Sequence, residues 1–186
     1  MVGELATLVS IQVGRPQPLG HTVSAFRKHP VAGPVFLLPT HLDGDEQAEK
    51  VIHGGPEQAV LCYAAEHYPR WLDELGIDFG PGGFGENFTV AGLDEESVCI
   101  GDVYEVGDAV VRVTKPRGPC FKIGLRWHMP RLVKLVEQTG RHGWYFGVVA
   151  QGIVEAGDEI RLVERPRPDL SVRRAAELRR NRGGRA

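Results

Sequence analysis

Cysteine is scarce in this chain: three among 186 residues, at positions 62, 99 and 120. A small odd count gives no disulfide framework, so a reducing, cytoplasmic compartment is the expectation. No run approaches the roughly 20 apolar residues that a membrane span needs. Met1 is followed by alternating, strand-like sequence with no apolar segment behind it, so no secretory signal is expected there. Zinc signatures are missing too. There is no Cys-x-x-Cys and no His-Glu-x-x-His, and the seven histidines are scattered. Neither a P-loop nor a dinucleotide fingerprint occurs. Gly80-Pro81-Gly82-Gly83-Phe84-Gly85 leads into a strand pattern, not a helix.

Acid is absent from one long stretch. Between Asp108 and Glu137 there is no Asp or Glu, but there are Arg112, Lys115, Arg117, Lys122, Arg126, Arg131 and Lys134. The net charge is −2, and the segment from Arg165 to Ala186 holds eight arginines against Asp169 and Glu177. The rest of the chain therefore carries 14 basic and 22 acidic residues. An acidic body argues against general nucleic-acid binding. Within it, the acid-free stretch reads either as a positive surface for an anion or as side chains paired with acids from elsewhere.

Glycine (24) and proline (13) are plentiful, and 42% of residues are hydrophobic. That composition supports one core built from short strands and many turns. Leu5 to Val13 alternates as a strand, with Leu5, Thr7, Val9, Ile11 and Val13 on one face. Val35 to Leu38, Asn87 to Val90, Val98 to Val106, Ala109 to Thr114, Trp144 to Ala150 and Glu159 to Glu164 are further predicted strands, with a hairpin turn at Gly107-Asp108. Gln58 to Leu75 reads as a helix that includes Cys62, with Pro69 as a kink. Met129 to Gln138 is a second helix ended by Gly140, and the chain turns helical and Arg-rich after Leu170. The predicted architecture is mainly β, a closed or nearly closed barrel with peripheral helices. The tail after Pro168 offers few apolar residues to dock, so it is expected to be dispensable for folding.

Cys120 differs from the other two cysteines. It ends Lys115-Pro116-Arg117-Gly118-Pro119 and is followed closely by Lys122. Cations beside a thiol favour the thiolate, which serves as nucleophile or soft metal ligand. The alternative, a buried structural cysteine, suits so polar a loop less well. Cys62 and Cys99 read as packing residues. His53-Gly54-Gly55 ahead of a helical turn is either a backbone cradle for an oxyanion or only a turn. Glu86 and Asn87, at a loop–strand junction, either orient a ligand or form the turn. A Cys/His hydrolase with His53 or His142 as base also stays open.

Five segments in order carry a resemblance. They are Gly44-Asp45-Glu46-Gln47-Ala48, His53-Gly54-Gly55-Pro56, Gly85-Glu86-Asn87-Phe88-Thr89-Val90, Pro116-Arg117-Gly118-Pro119-Cys120 and Gly140-Arg141-His142-Gly143-Trp144-Tyr145-Phe146. Together they resemble the MOSC family, named for the C-terminal domain of molybdenum cofactor sulfurases, and within it the bacterial 6-hydroxylaminopurine-resistance branch. The resemblance implies a MOSC-type β-barrel over residues 1–167. Residues 168–186 would be an Arg-rich helical tail, the start of a three-helix module that close relatives carry further. It implies the molybdenum cofactor, molybdopterin, with Cys120 as metal ligand and catalytic residue. Arg15, Lys50, His53, Gly54, Gly55, Glu86, Asn87, Lys115 and Arg117 would bind the cofactor. The implied activity is reduction of N-hydroxylated bases or related compounds, detoxifying them, with electrons from a separate flavoprotein or iron–sulfur protein. No nucleic acid and no membrane is implied as partner, and a homodimer stays open. The rival reading is a sulfur carrier, with a Cys120 persulfide delivering sulfur to a metal cofactor.

Overall fold

The computed structural model of the protein describes residues 6–48 and 54–183. In chain order it has β1 (Thr7–Val13), β2 (Gln17–Leu19), β3 (Thr22–Ser24), β4 (His29–Pro30), β5 (Val35–Leu37), a 3-10 turn (Pro56–Gln58), β6 (Val60–Ala64), α1 (His67–Leu75), β7 (Phe88–Ala91), β8 (Val103–Val106) and β9 (Ala109–Pro116). There follow α2 (Phe121–Arg126), α3 (Leu132–Thr139), β10 (Trp144–Ala150), β11 (Gly152–Val154), β12 (Ile160–Glu164) and α4 (Val172–Gly183). Eight strands make one sheet in the order β12-β8-β9-β10-β6-β7-β1-β4. Among the described residues only β6 and β7 pair in parallel. The turn before β12 returns to β1: Gly157 N donates to Leu8 O (2.7 Å), Leu8 N to Asp158 O (2.9 Å) and Ile160 N to Ala6 O (2.8 Å). These bonds join one edge of the sheet, at β12, to β1, which lies next to the other edge, and the sheet curls accordingly. The fold is mainly β with helices at its periphery, as the glycine-punctuated short runs predict.

The curled sheet encloses one apolar cluster, including Leu8, Ile11, Val90, Val111, Trp144 and Phe146. A second cluster, with Tyr63, Trp71, Phe79, Phe84, Ile123 and Val136, fills the space between β6 and helices α1, α2 and α3. Trp71 Nε1 donates to the Tyr63 hydroxyl at 2.7 Å, so the indole nitrogen is satisfied inside that layer.

The helix predicted over residues 58–75 is corrected. Residues 60–64 are a strand, and the helix begins only at His67. Cys62 belongs to the enclosed core while its neighbour Tyr63 belongs to the helix-side cluster. A strand covered on both faces is apolar at every position, and such a run shows no period to tell it from a buried helix. Pro69 then falls in the first turn of α1, where its missing N–H costs nothing. Within β1 the predicted alternation is broken by an irregularity between Leu8 and Ser10, so Leu8 and Ile11 are buried and Val9 is exposed. The helix α2, directly after Cys120, has no counterpart in the sequence reading. The tail is less detached than its composition suggests. Val172 is fully buried in the enclosed core, and its N–H donates to Val98 O at 2.8 Å. Among the described residues no helix is long and apolar enough to cross a membrane.

Candidate functional site

The register of β9 with β10 pairs Pro116 with Trp144, and Arg117 N then donates to Gly143 O at 3.1 Å. This last bond fixes where the strand ends and the Cys120 loop begins. Cys120 itself is extended and half-buried, and it stands immediately before α2. It opens onto a cleft of about 110 Å³ that Arg117, Lys122, Tyr145, Asn87, Lys28 and Asp45 also line.

Asn87, Asp45, Lys28 and Arg117 are held in place by backbone or by a buried partner. Asn87 is a brace: its Oδ1 accepts from Leu61 N (3.1 Å), and its Nδ2 donates to Gln12 O (3.2 Å) and Asp45 Oδ2 (2.9 Å). Asp45 in turn accepts from Gly14 N (2.7 Å) and from Lys28 Nζ (2.5 Å), and both members of that ion pair are buried. A buried pair of this kind is neutral overall and geometrically exact in its demands. Arg117 is only 5% exposed. Its Nη2 donates to Phe84 O at 2.9 Å, while its Nη1 is buried with no hydrogen-bond partner among the described residues. Lys122 is buried and makes no ion pair among the described residues. Burial first of all, with the Cys120 charge adding and Arg117 opposing, pushes the Tyr145 hydroxyl up from its ordinary value, so it stays a donor at neutral pH.

Cys120, Arg117 and Asn87, three of the residues singled out from sequence, thus share one cleft. Glu86 does not face it. Its fully buried carboxylate accepts from the Tyr68 hydroxyl, Gly82 N (2.6 Å), Phe84 N (3.0 Å) and Thr89 Oγ1 (3.1 Å), and so closes the glycine-rich loop from within. Arg15 is exposed and pairs with Glu46 at 3.5 Å, at the edge of the cleft rather than inside it. Lys115 lies with its ammonium 6.0 Å from the Tyr145 ring centroid, outside the lining. Gly54 and Gly55 lead into the 3-10 turn, whose Gln58 does reach the cleft. Lys50 and His53 lie outside the described residues. Sequence reasoning missed Lys28, Gln58, Lys122 and Tyr145 as cleft residues. Lys122 and Tyr145 were within reach, since one belongs to the acid-free stretch and the other to the last shared motif. Lys28 carries no signal without its partner, Asp45.

These residues fit an anionic metal-bearing cofactor. Cys120 offers one soft ligand, and Arg117 and Lys122 offer positive charge that no acid among the described residues pairs. Among the described residues no group of three or more His, Cys, Asp and Glu side chains could hold a bare metal ion. A metal that arrives with ligands of its own, as in a dithiolene cofactor, needs only one soft ligand from the protein, and Cys120 can supply it.

The MOSC domain model matches residues 49–161. The uncharacterized protein YflK of Bacillus subtilis is 41% identical over 96% of this chain and 82% of its own length. A protein named Reductase from Gibberella moniliformis is 43% identical over 82% of this chain, which corresponds to only 28% of that longer protein. The protein YiiM of Escherichia coli is 39% identical over 83% of this chain and 70% of its own. The crystal structure of YiiM from Geobacillus stearothermophilus superposes with a TM-score of 0.80 at 35% identity, covering 94% of this chain and 83% of that one. The enclosed sheet, the loop cysteine and these matches place the chain in the MOSC domain family, beside YiiM in its 6-hydroxylaminopurine-resistance branch.

Proposed function

We propose that this protein is a molybdenum-cofactor-dependent oxidoreductase that reduces N-hydroxylated bases or related small compounds. Its electrons would come from a separate flavoprotein or iron–sulfur protein. The observation that carries the reading is the half-buried Cys120 thiol on a cleft whose buried cations, Arg117 and Lys122, have no acidic partner among the described residues. The family and the name of the fungal relative support it.

Cys120 would be the protein's ligand to the metal, and Arg117 and Lys122 would neutralise the charge of the cofactor. When bound, the cofactor supplies the two-electron exchange and the oxygen acceptance that cleavage of an N–O bond requires. The chain's own part is positional. The Asn87–Asp45–Lys28 network keeps one wall rigid, because each of its polar atoms is already bonded to another element. Tyr145 presents a hydroxyl that remains protonated, so it can donate to a polar substrate or to the cofactor but not act as a base at neutral pH.

The test is metal analysis and turnover of protein made in a host that synthesises the cofactor. Wild-type protein is expected to carry molybdenum and, given reducing equivalents, to convert a base hydroxylamine to the amine. Cys120→Ala and Cys120→Ser are expected to lose the metal or its reactivity, the serine because a hard oxygen replaces a soft sulfur at nearly constant size. Turnover near normal in both variants with molybdenum still bound would refute the site. A labile sulfur on Cys120 with no molybdenum would refute the reductase in favour of a sulfur carrier.

A further inference from the structure

A second and larger cleft, of about 500 Å³, lies on the other side of the Cys120 loop. Arg117 and Gly118 line both clefts, whereas Cys120 lines only the first. α4 contributes Arg173, Glu177, Arg179 and Arg180 to the second, and His142 and Glu137 also border it. Some of these charges are already committed. Arg173 pairs with Glu96 and donates to Thr139 O at 3.2 Å, and the carboxylate of Glu177 lies 3.7 Å from Arg174. Arg179 and Arg180 are not committed in this way. Among the described residues each reaches only a backbone carbonyl, Pro116 O and Glu137 O respectively, and both contacts are 3.4 Å long. That is the weak end of hydrogen bonding. Arg117 adds a buried guanidinium whose Nη1 has no partner among the described residues. Four arginines, Arg117, Arg173, Arg179 and Arg180, and two acids, Glu137 and Glu177, line the cleft, so its balance of charge is positive.

The missing counter-charge describes the ligand. Guanidinium forks match phosphate oxygens in pairs. The cleft is far larger than one tetrahedral anion, and linked phosphates match the charge of three guanidiniums better than a dicarboxylate does. We infer that this cleft binds an oligophosphate group, two or more linked phosphates, through Arg179 and Arg180 of α4 and Arg117 of the partition. The group is either inorganic or the phosphate end of a nucleotide.

The experiment is calorimetric titration of the full chain with inorganic pyrophosphate and, separately, with ADP. Both are expected to bind, and Arg179→Ala combined with Arg180→Ala should weaken binding by roughly tenfold or more. Cys120→Ser, which removes the proposed metal ligand but leaves the shared Arg117 in place, should bind as the wild type does, so failure of the metal site and failure of this cleft are told apart. Should the double alanine variant fail to fold, Arg179→Lys with Arg180→Lys keeps the charge and removes the fork, and a loss of affinity there gives the same answer. ADP binding more tightly than pyrophosphate assigns a nucleotide; equal binding assigns the inorganic chain. The proposal is overturned if neither ligand binds or if succinate binds as well as pyrophosphate. It is equally overturned if the arginine variants bind unchanged while Lys122→Ala does not, which would move the ligand to the first cleft.

Discussion

Three thiols of identical chemistry occupy three different surroundings. Burial, reinforced by the charge of Glu86, pushes the Cys62 thiol well above its ordinary value. Burial also raises Cys99, with Arg165 opposing and Asp102 adding. Cys120 is the half-buried one of the three, and it lines a cleft with Arg117 and Lys122. Alkylation of the folded protein should therefore label Cys120 first, and Cys120→Ser should leave the chain nearly unlabelled until it unfolds. Peptide mass mapping over a time course reads this directly; Cys62 labelling at the rate of Cys120 would overturn it. The singularity of Cys120 was legible in its Pro- and Arg-containing loop. The role of Asp45 was not, because a carboxylate in a glycine turn looks the same whether or not Lys28 and Asn87 fold onto it. Gly143 makes the same point. A Cβ there would lie 2.3 Å from the Cys62 carbonyl oxygen, and φ is +79°. The glycine is required by a neighbour 81 positions away in the chain, which no local pattern displays.

Among the elements, the strands bounded by glycine turns were legible and the doubly buried one was not. β8 and β9 announce themselves through alternation around Gly107-Asp108, whereas β6 has no polar face to mark its period. α4 shows the opposite error. Its composition suggests a detached arm, yet the segment leading into it is stitched to the barrel. Ile100 N donates to Leu170 O (2.9 Å), Val172 N to Val98 O (2.8 Å) and Arg173 N to Glu95 O (2.8 Å). One well-placed valine suffices to dock it, since full burial of such a side chain contributes about 2 kcal/mol. Val172→Ala should therefore lower the unfolding free energy by about that much, including the cavity left behind. A chain ending at Arg167 should melt distinctly below the full chain. Urea denaturation and thermal melts measure the two effects; equal melting of the shortened chain would show that α4 docks without stabilising the barrel.

At the scale of the whole molecule, one buried polar network ties α1, the 94–98 loop, the start of β10 and α4 together. His67 Nε2 donates to Glu95 Oε2 (2.7 Å), Gly143 N donates to Glu95 Oε1 (2.7 Å), and His142 Nδ1 donates to Gly143 O (2.8 Å). Burial alone would raise the Glu95 carboxyl, but the His67 hydrogen bond and charge, the His142 charge and the Gly143 amide outweigh it and hold it below its ordinary range. Burial lowers His142, with Arg117 and Arg173 adding and Glu95 opposing. Both shifts have the same sign for stability. The His142 contribution is complete above its ordinary value of 6.5 and is lost as pH falls through its depressed one. That of Glu95 is present above the ordinary carboxylate value and is lost as pH falls further. The unfolding free energy should therefore begin to decline below pH 6.5 through His142 and fall further below pH 4.5 through Glu95, and Glu95→Gln should be less stable at neutral pH but flatter in acid. Urea titrations at several pH values measure the slope, and a flat profile for the wild type would refute the assignment. By itself the sequence determined the class of the fold, the one cysteine with chemistry in view and the positive stretch around it, because turn residues, strand alternation and charge runs are local properties of the chain. Only the tertiary structure decided which residues meet: it turned Glu86 inward, left Arg15 and Lys115 outside the lining, brought Lys28 to Asp45 and set α4 behind the Cys120 loop. Those outcomes depend on sheet order and register between segments far apart in the chain, and no local pattern encodes them.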